Sequence, residues 1–230
     1  MSDEAASGLS DGLLHGLATT RTIRRYTDEP IPDDELASIL WHASRAPSGS
    51  NRQPVRYVVL RDGPAAREAR ALLGRSYREG WAAKQAADGY VETDPGSPKA
   101  RMAATMQHYV DHFEEAPAVV LVCLQRYRAA NPYEGASVYP AAQNLLLAAR
   151  ALGYGGALTM WHLAVEDDLR RVLDIPDDVA LSACITLGRP QGAHGPVRRR
   201  PLADVVFDDR WGQAATWVAD PEGAQHNSWT

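Results

Sequence analysis

The chain has 230 residues, of which 45% are hydrophobic and 23% charged, and its formal net charge is −5. This length and composition are ordinary for a globular protein with a sizeable buried core. The acidic balance argues against nucleic acid as a partner, because nucleic-acid-binding domains usually present a basic surface. The N-terminus lacks the charged-then-apolar order of a signal peptide, and no apolar run approaches the length of a membrane span. We therefore expect a cytoplasmic protein with no membrane partner.

Apolar periodicity predicts a mixture of helices and strands. Leucines spaced three and four residues apart predict a short helix at 10–18, and the same spacing in DDELASILWHA predicts one at 33–45. Further helices are expected at 64–73, 99–115, 137–152 and 165–173. Apolar runs predict core strands at 55–61, 118–125 and 180–187. Strands and helices do not alternate regularly, so the class is α+β or α/β.

Two segments lack clear periodicity. Residues 74–98 contain several glycines and prolines with Trp81 and Tyr90 between them, and a stretch this long is often a lid or a binding segment. Residues 213–230 form a polar C-terminal tail with too little apolar content to fold alone. Because isolated tryptophans occur here and just before it, we expect the tail to dock on another surface, such as a partner subunit.

The stretch RAPSGSNRQP, at 45–54, lies between a predicted helix and a predicted core strand. Its Pro, Gly, Ser and Asn residues are turn formers, which favours a simple helix-to-strand turn. The alternative is a wall of backbone N–H and amide groups that faces a flat ligand with polar edges. These ten residues alone leave both interpretations open.

Two arginine clusters lie far apart in the sequence. The first is RTIRRY at 21–26, and the second is VRRRPL at 197–202. Each alone is typical of a solvated basic surface. Two such clusters in an acidic protein also suggest convergence on one anion, and phosphate suits arginine because the guanidinium fork donates two parallel hydrogen bonds.

The stretch GYGGALTMW, at 153–161, is glycine-rich but does not match a dinucleotide-binding fingerprint, since it follows a helix and lacks the third glycine. Gly153 is expected to cap the preceding helix. Gly155 and Gly156 would let the backbone approach a flat ring closely, and Thr159 would add a side-chain donor.

Other chemistries have little support in the sequence. No GxSxG, HExxH, CxxC or P-loop pattern occurs. His108 and His112 stand four residues apart on one predicted helix, which more often marks an exposed face than a metal pair, so no metal is expected. Cys123 and Cys184 lie inside apolar runs and are expected to be buried, reduced thiols.

Five motifs together resemble the nitroreductase family of FMN-dependent oxidoreductases, most closely its mycobacterial-type members. RTIRRY, APSGSNRQP, GYGGALT, LGRP and RRRPLADVV occur in the family's order over roughly 15–210. The resemblance implies an α+β sandwich with a mostly antiparallel central sheet flanked by helices. It also implies a single domain over 1–212 and an intertwined homodimer that binds two FMN molecules at its interface.

The same resemblance implies a set of cofactor-binding residues. Arg21, Thr22 and Arg24 would hold the FMN phosphate, with Arg198 and Arg200 closing over it. Two further groups would contact the ring: Pro47, Ser48, Gly49 and Asn51 from the partner chain, and Gly155, Gly156, Ala157, Leu158 and Thr159 beneath it. A backbone N–H of the second group would face the ring nitrogen that exchanges hydride. One departure is Val55, which stands where many members have tryptophan.

The implied activity is ping-pong hydride transfer from NAD(P)H through FMN to nitroaromatics, quinones or similar flat acceptors. Because the flavin carries the chemistry, no catalytic side chain is expected. Substrate selectivity would lie around the 74–98 segment, in a pocket formed by Trp81, Tyr90, Met102, Met106 and Tyr109. Alternatives within the same resemblance are a flavin-dependent dehydrogenase or oxidase of a small or peptide-derived metabolite, a flavin-fragmenting or dehalogenating enzyme, and a non-catalytic flavin-binding protein.

Overall fold

The structure, a computed structural model, describes residues 12–90, 94, 96–192 and 194–226. The described residues divide into two compact units: Arg21–Gly192, and a smaller unit made of residues 12–20 and 194–226. The domain boundary expected after residue 212 stays a prediction. Among the described helices, none has both the length and the apolar character needed to cross a membrane.

A four-stranded antiparallel sheet lies at the centre of the larger unit. Its strands are β1 (Val55–Leu60), β2 (Ala118–Gln125), β3 (Gly155–Thr159) and β4 (Val179–Gly188), in the spatial order β1-β2-β4-β3. The central strand β2 is buried at every position except its last, as its continuous apolar sequence predicts. Strands β1 and β3 therefore form the two edges of the sheet.

Helices cover both faces of this sheet. They are α1 (Asp33–Ala43), α2 (Pro64–Ala87), α3 (Pro98–Asp111), α4 (Tyr139–Ala151) and α5 (Glu166–Val172). Successive β2 residues alternate between two hydrophobic clusters. Leu121 packs with core side chains of α2, α3 and α5, and Val122 packs with those of α1 and α4. The α+β class, with an antiparallel sheet flanked by helices, is therefore confirmed.

Helix α2 is much longer than the predicted 64–73, so most of the 74–98 segment is regular helix. Neither of the two glycines inside this helix ends it, and Gly74 allows close packing, whereas a Cβ on Gly80 would make only an ordinary contact. A Cβ on Gly74 would lie 2.1 Å from the Glu114 carboxylate, and one on Gly80 would lie 3.6 Å from the Trp161 ring. Tyr77 and Trp81 are buried on the same helix. Residues 91–93 and 95 lie outside the described part.

The smaller unit contains little regular structure in its described residues. Residues 12–19 are helical, and a short 3-10 turn occupies Leu202–Asp204. Isolated bridges join Arg199 to His226 and Phe207 to Ala214. Trp211 and Trp217 are 92% and 72% exposed, and Trp229 lies outside the described residues. Docking of the C-terminal tail on another surface stays a prediction.

A buried arginine fixes the end of the sheet where β1 stops and β2 begins. The Arg70 side chain is 7% exposed and donates hydrogen bonds to the backbone oxygens of Leu60 and Ala116, both at 2.7 Å, and of Glu114 at 3.0 Å. These carbonyls lie where chain segments enter and leave the sheet, so one guanidinium satisfies acceptors that water does not reach easily.

We expect Arg70→Met to destabilise the protein by about 3 kcal/mol or more, because each buried acceptor left without a donor costs about 1–3 kcal/mol. Arg67→Met, three residues earlier on the exposed side of α2, is the matched control. Urea unfolding followed by circular dichroism measures both. Equal midpoints for the two variants would show that Arg70 does not stabilise this corner.

Candidate functional site

The segment that contains the first arginine cluster runs beside the edge strand β3. Thr22 forms a parallel bridge with Gly156, and the Ile23 N–H donates to the Gly156 carbonyl oxygen at 2.9 Å. Farther along, Tyr26 bridges to Pro190, and its hydroxyl donates to the Ile23 oxygen at 2.6 Å. Two of the groups expected at the cofactor, the arginine cluster and the β3 glycines, are thus adjacent in the structure.

Close packing explains why β3 begins with two glycines. A Cβ on Gly155 would lie 2.3 Å from the Ile23 Cγ1 atom, and one on Gly156 would lie 2.7 Å from the Thr186 backbone oxygen. Both distances are too short for any other residue without movement. The sequence interpretation assigned these glycines to the approach of a ring, whereas the described chain itself already requires them.

The outer edge of β3 offers backbone hydrogen-bonding groups beyond the Thr22 bridge. The Gly156 carbonyl points outward, toward Ile23, and backbone groups in a strand alternate between its two sides. The N–H and carbonyl of Leu158 therefore also point outward. No strand of the described chain pairs with this edge past Gly156. The Leu158 N–H is consequently placed to donate to a ligand.

Arg24 lines a cavity of about 490 Å³. The other lining residues are Tyr26, Thr27, Asp28, His108, Tyr109, His112, Glu115, Ala116 and Gln191. The Arg24 side chain is half-buried, burial lowers its pKa, and it has no hydrogen bond or ion pair within the described part of the chain. A desolvated cation without a partner is costly, so this position favours an anionic ligand.

Two tyrosines hold the wall of this cavity through a shared threonine. The Tyr26 and Tyr109 hydroxyls lie 2.8 and 3.0 Å from the Thr186 Oγ1 atom on β4. Burial raises the pKa of both phenols, so both stay protonated at neutral pH. Tyr26 was missed as a site residue in the sequence, although it stands only two positions after Arg24.

His108 and His112 line the same cavity, with their rings stacked at 4.2 Å between centroids. Burial lowers the pKa of His108, and the neighbouring His112 lowers it further. Within the described ranges, no group of three or more His, Cys, Asp or Glu side chains is arranged to hold a metal ion. The sequence separated this pair from the arginine cluster, and only the fold brings the two together.

The 45–54 stretch is a tight turn, as predicted, and its backbone is unusual. Ser50, Asn51 and Gln53 all have φ between 50° and 53°, a region that residues other than glycine rarely adopt. The Ser48 hydroxyl accepts from the Gln53 N–H at 2.9 Å, and the Ser137 hydroxyl accepts from the Gly49 N–H at 3.1 Å. Each left-handed residue costs about 1–3 kcal/mol, and such strain concentrates at functional sites.

This turn lies at the opposite corner of the sheet from the arginine cluster. It precedes β1, whereas Thr22 bridges to β3, three strand intervals away. In the register of the sheet, Val55 is opposite Leu124 on β2, and Gly156 lies across from Ala118 on the same strand, with β4 between them. The two positions on β2 are six residues apart. With strands about 4.8 Å apart and a rise of about 3.3 Å per residue, the two groups are roughly 24 Å apart. A single chain therefore cannot bring both groups onto one ring.

The remaining predicted residues have different surroundings. Trp81 and Tyr109 are buried core side chains, and Trp81 donates from its indole to the Gln107 Oε1 atom at 3.0 Å. Tyr90 and Met106 pack partly against the same core, and Met102 is 45% exposed. Core packing explains Trp81 fully, and this side chain is buried rather than open to a ligand. Arg198 and Arg200 are exposed residues of the smaller unit.

Comparison with known proteins shows the family. Residues 17–189 match the sequence profile described as the Nitroreductase family. A protein of Thermus thermophilus named NADH dehydrogenase is 31% identical over 201 residues, which cover 81% of this chain and 91% of that protein. The chain therefore belongs to the nitroreductase family.

Solved structures agree with this assignment. A chain from Desulfovibrio desulfuricans, described as a nitroreductase in complex with FMN, is 26% identical with a TM-score of 0.62, covering 86% of this chain and 97% of that one. The NADPH:FMN oxidoreductase of Vibrio harveyi, solved with NAD+, has a TM-score of 0.64 at 21% identity and covers 89% and 80% of the two chains. At that identity the second likeness shows the fold alone.

We expect Gly155→Ala to destabilise the protein by about 1–3 kcal/mol, because its Cβ would overlap the Ile23 side chain. In the double variant Gly155→Ala/Ile23→Ala, the smaller side chain at 23 removes the nearest overlap, so the double variant should be more stable than the sum of the single effects predicts. Gly63→Ala, where a Cβ meets nothing within 4 Å, is the control. Strict additivity in thermal unfolding would contradict this packing account.

Proposed function

We propose that the chain catalyses ping-pong hydride transfer from NADH or NADPH to nitroaromatics, quinones or similar flat acceptors. It is an FMN-dependent oxidoreductase, as family membership and the FMN-bound relative support. A relative named NADH dehydrogenase supports the nicotinamide donor. The observation that carries the proposal is the unpaired, half-buried Arg24 beside the outer edge of β3.

The residues present suit an FMN. Arg24 offers a guanidinium without an acidic partner in the described chain, and the Thr27 hydroxyl beside it also has no partner there. Arg21 and Thr22 flank Arg24 on the exposed side of the same segment. We propose that Arg21, Thr22 and Arg24 hold the phosphate, and that Arg198 and Arg200 add to this binding. Their chemistry supports the assignment, because arginine forks match phosphate oxygens.

Bound FMN supplies the redox chemistry, accepting hydride from the nicotinamide donor and passing it to the acceptor. The chain's own contribution is placement and electrostatics. We propose that the Leu158 N–H donates to the ring edge and that Gly155, Gly156, Ala157 and Thr159 support it from beneath. A fixed backbone donor in a partly dry site stabilises developing negative charge without having to reorganise.

The second wall of the site comes, in this proposal, from another copy of the chain. This wall would be formed by Pro47, Ser48, Gly49 and Asn51, which would contact the flavin ring of the FMN bound to the partner subunit. They are too far from Arg24 to reach a flavin ring bound in their own chain. We therefore propose an intertwined homodimer. We also propose that this homodimer is located in the cytoplasm. The substrate would enter near Tyr90, Met102, Met106 and the cavity lined by Tyr109.

The experiment is an anaerobic visible spectrum of the FMN-loaded protein, recorded before and after NADH or NADPH and again after a quinone. We expect the flavin absorbance near its visible maximum to bleach with at least one donor and to return with the quinone. Initial rates should give parallel double-reciprocal lines, since donor and acceptor use one site in turn. A flavin that neither donor bleaches would instead favour an oxidase or a flavin-binding role.

A further inference from the structure

A basic surface with an aromatic centre lies next to the strained 45–54 turn. We call it the arginine–tyrosine surface. It comprises Arg52, Arg56, Arg126, Tyr127 and Arg128, contributed by the end of the turn, the start of β1 and the residues just after β2. Strands β1 and β2 are paired there, with Val55 opposite Leu124, which brings the two arginine-bearing segments together. Arg52 belongs to the APSGSNRQP motif, whereas Arg56, Arg126 and Arg128 lie outside the five nitroreductase motifs.

The surface contains an open depression of about 360 Å³. It is lined by Arg52, Pro54, Arg56, Gln125, Arg126 and Tyr127. Tyr127 is 57% exposed, and its ring is the centre of the surface. The Arg52 guanidinium carbon lies 4.3 Å from the ring centroid, and that of Arg128 lies 5.2 Å from it. The ring and the guanidinium planes therefore form a stacking platform as well as a cluster of charge.

Three of the four guanidinium groups form no ion pair in the described chain, although Glu134 also attracts Arg128 electrostatically. Arg126 is paired with Glu134 through two hydrogen bonds of 2.9 and 3.0 Å. Arg56 donates to the backbone oxygens of Gln53 and Val55, at 3.0 and 2.9 Å. No carboxylate of the described chain forms an ion pair with Arg52, Arg56 or Arg128. In a protein with a net charge of −5, a cluster of arginines with a single carboxylate beside it favours an anionic ligand.

The chemistry fits a phosphate-bearing nucleotide. Guanidinium forks bind phosphate oxygens in pairs, and purine rings stack on tyrosine and arginine planes. The position fits as well, since Arg52 directly follows Asn51, the last residue proposed to contact the flavin ring. A dinucleotide whose nicotinamide lies on that ring would extend its phosphates and adenosine away from the ring, over the neighbouring surface.

We propose that the arginine–tyrosine surface binds the phosphate and adenosine part of the dinucleotide electron donor. This inference rests on the proposed function, because it takes the reductant to be NADH or NADPH. It assigns Arg52 and Arg128 to donor affinity, not to the hydride-transfer step.

The test combines two measurements on the FMN-loaded protein, with Arg52→Ala and Arg128→Ala as variants. Arg67→Ala, an exposed arginine on α2 near the other end of β1, is the matched control. The first measurement is steady-state reduction by the donor that wild type uses and by 1-benzyl-1,4-dihydronicotinamide, which has no phosphate. We expect KM for the dinucleotide to rise about tenfold or more in each variant, since a charge-assisted contact is lost, with kcat unchanged. Kinetics with the phosphate-free donor should not change.

The second measurement is calorimetric binding of ADP-ribose, which carries the phosphates and adenosine without the nicotinamide. Wild type and Arg67→Ala should bind it, and the two surface variants should bind it about tenfold more weakly. If neither NADH nor NADPH reduces wild type but ADP-ribose shows this pattern, the surface binds a nucleotide, the proposed function fails, and the assignment to an electron donor is overturned with it. If ADP-ribose fails to bind wild type, or binds all variants equally, the surface assignment is overturned. The surface assignment would also be overturned if the two surface variants lost rate equally with the dinucleotide and with 1-benzyl-1,4-dihydronicotinamide.

Discussion

The contact between Ile23 and the paired glycines of β3 is the constraint on which the candidate site depends. With no Cβ at Gly155, the segment that carries the first arginine cluster can lie directly against the edge of the sheet, where the Ile23 N–H donates to the Gly156 carbonyl oxygen. That contact sets the position of Arg24 in its cavity and leaves the Leu158 N–H outermost on the strand. A substitution that pushed this segment outward would move Arg24 away from the Leu158 N–H, although neither residue would itself be mutated.

The same sheet separates the two groups of residues that we propose to bind the cofactor. The arginine cluster lies along β3, and the strained turn precedes β1, at the diagonally opposite corner. Left-handed backbone at Ser50, Asn51 and Gln53 has no explanation in the packing of the turn itself, which is exposed. A ligand-binding role would account for that strain, and under the proposed function the ligand would belong to another subunit, because the arginine cluster lies at the far corner of the sheet. The arginine–tyrosine surface lies at this same corner, so donor binding and the partner-facing wall would be neighbours.

The sequence predicted three of the four strands because β1, β2 and β4 are largely apolar, whereas the glycine-rich β3 carries no such signal. β2 matches its predicted range, because a strand buried on both faces appears in the sequence as one continuous apolar run. The sequence predicted too short a helix α2 because glycines usually weaken helices, whereas Gly74 lies inside the helix against the Glu114 side chain. The motifs located Arg24 and the β3 glycines. They could not show the cavity that His108 shares with Arg24, or the arginine–tyrosine surface, because each joins segments far apart in the chain.

The division of the site between two subunits is the central claim, and a mixed dimer tests it most directly. One chain carries Arg24→Ala, the other carries Ser48→Ala/Asn51→Ala, and different affinity tags allow the heterodimer to be isolated. If each site takes Arg24 from one chain and the turn from the other, the heterodimer has one intact site and one with both lesions. It should then retain one FMN per dimer and reduce it with NAD(P)H, whereas both mutant homodimers lose the cofactor. A heterodimer as poor in FMN as the homodimers would show that each chain builds its site alone.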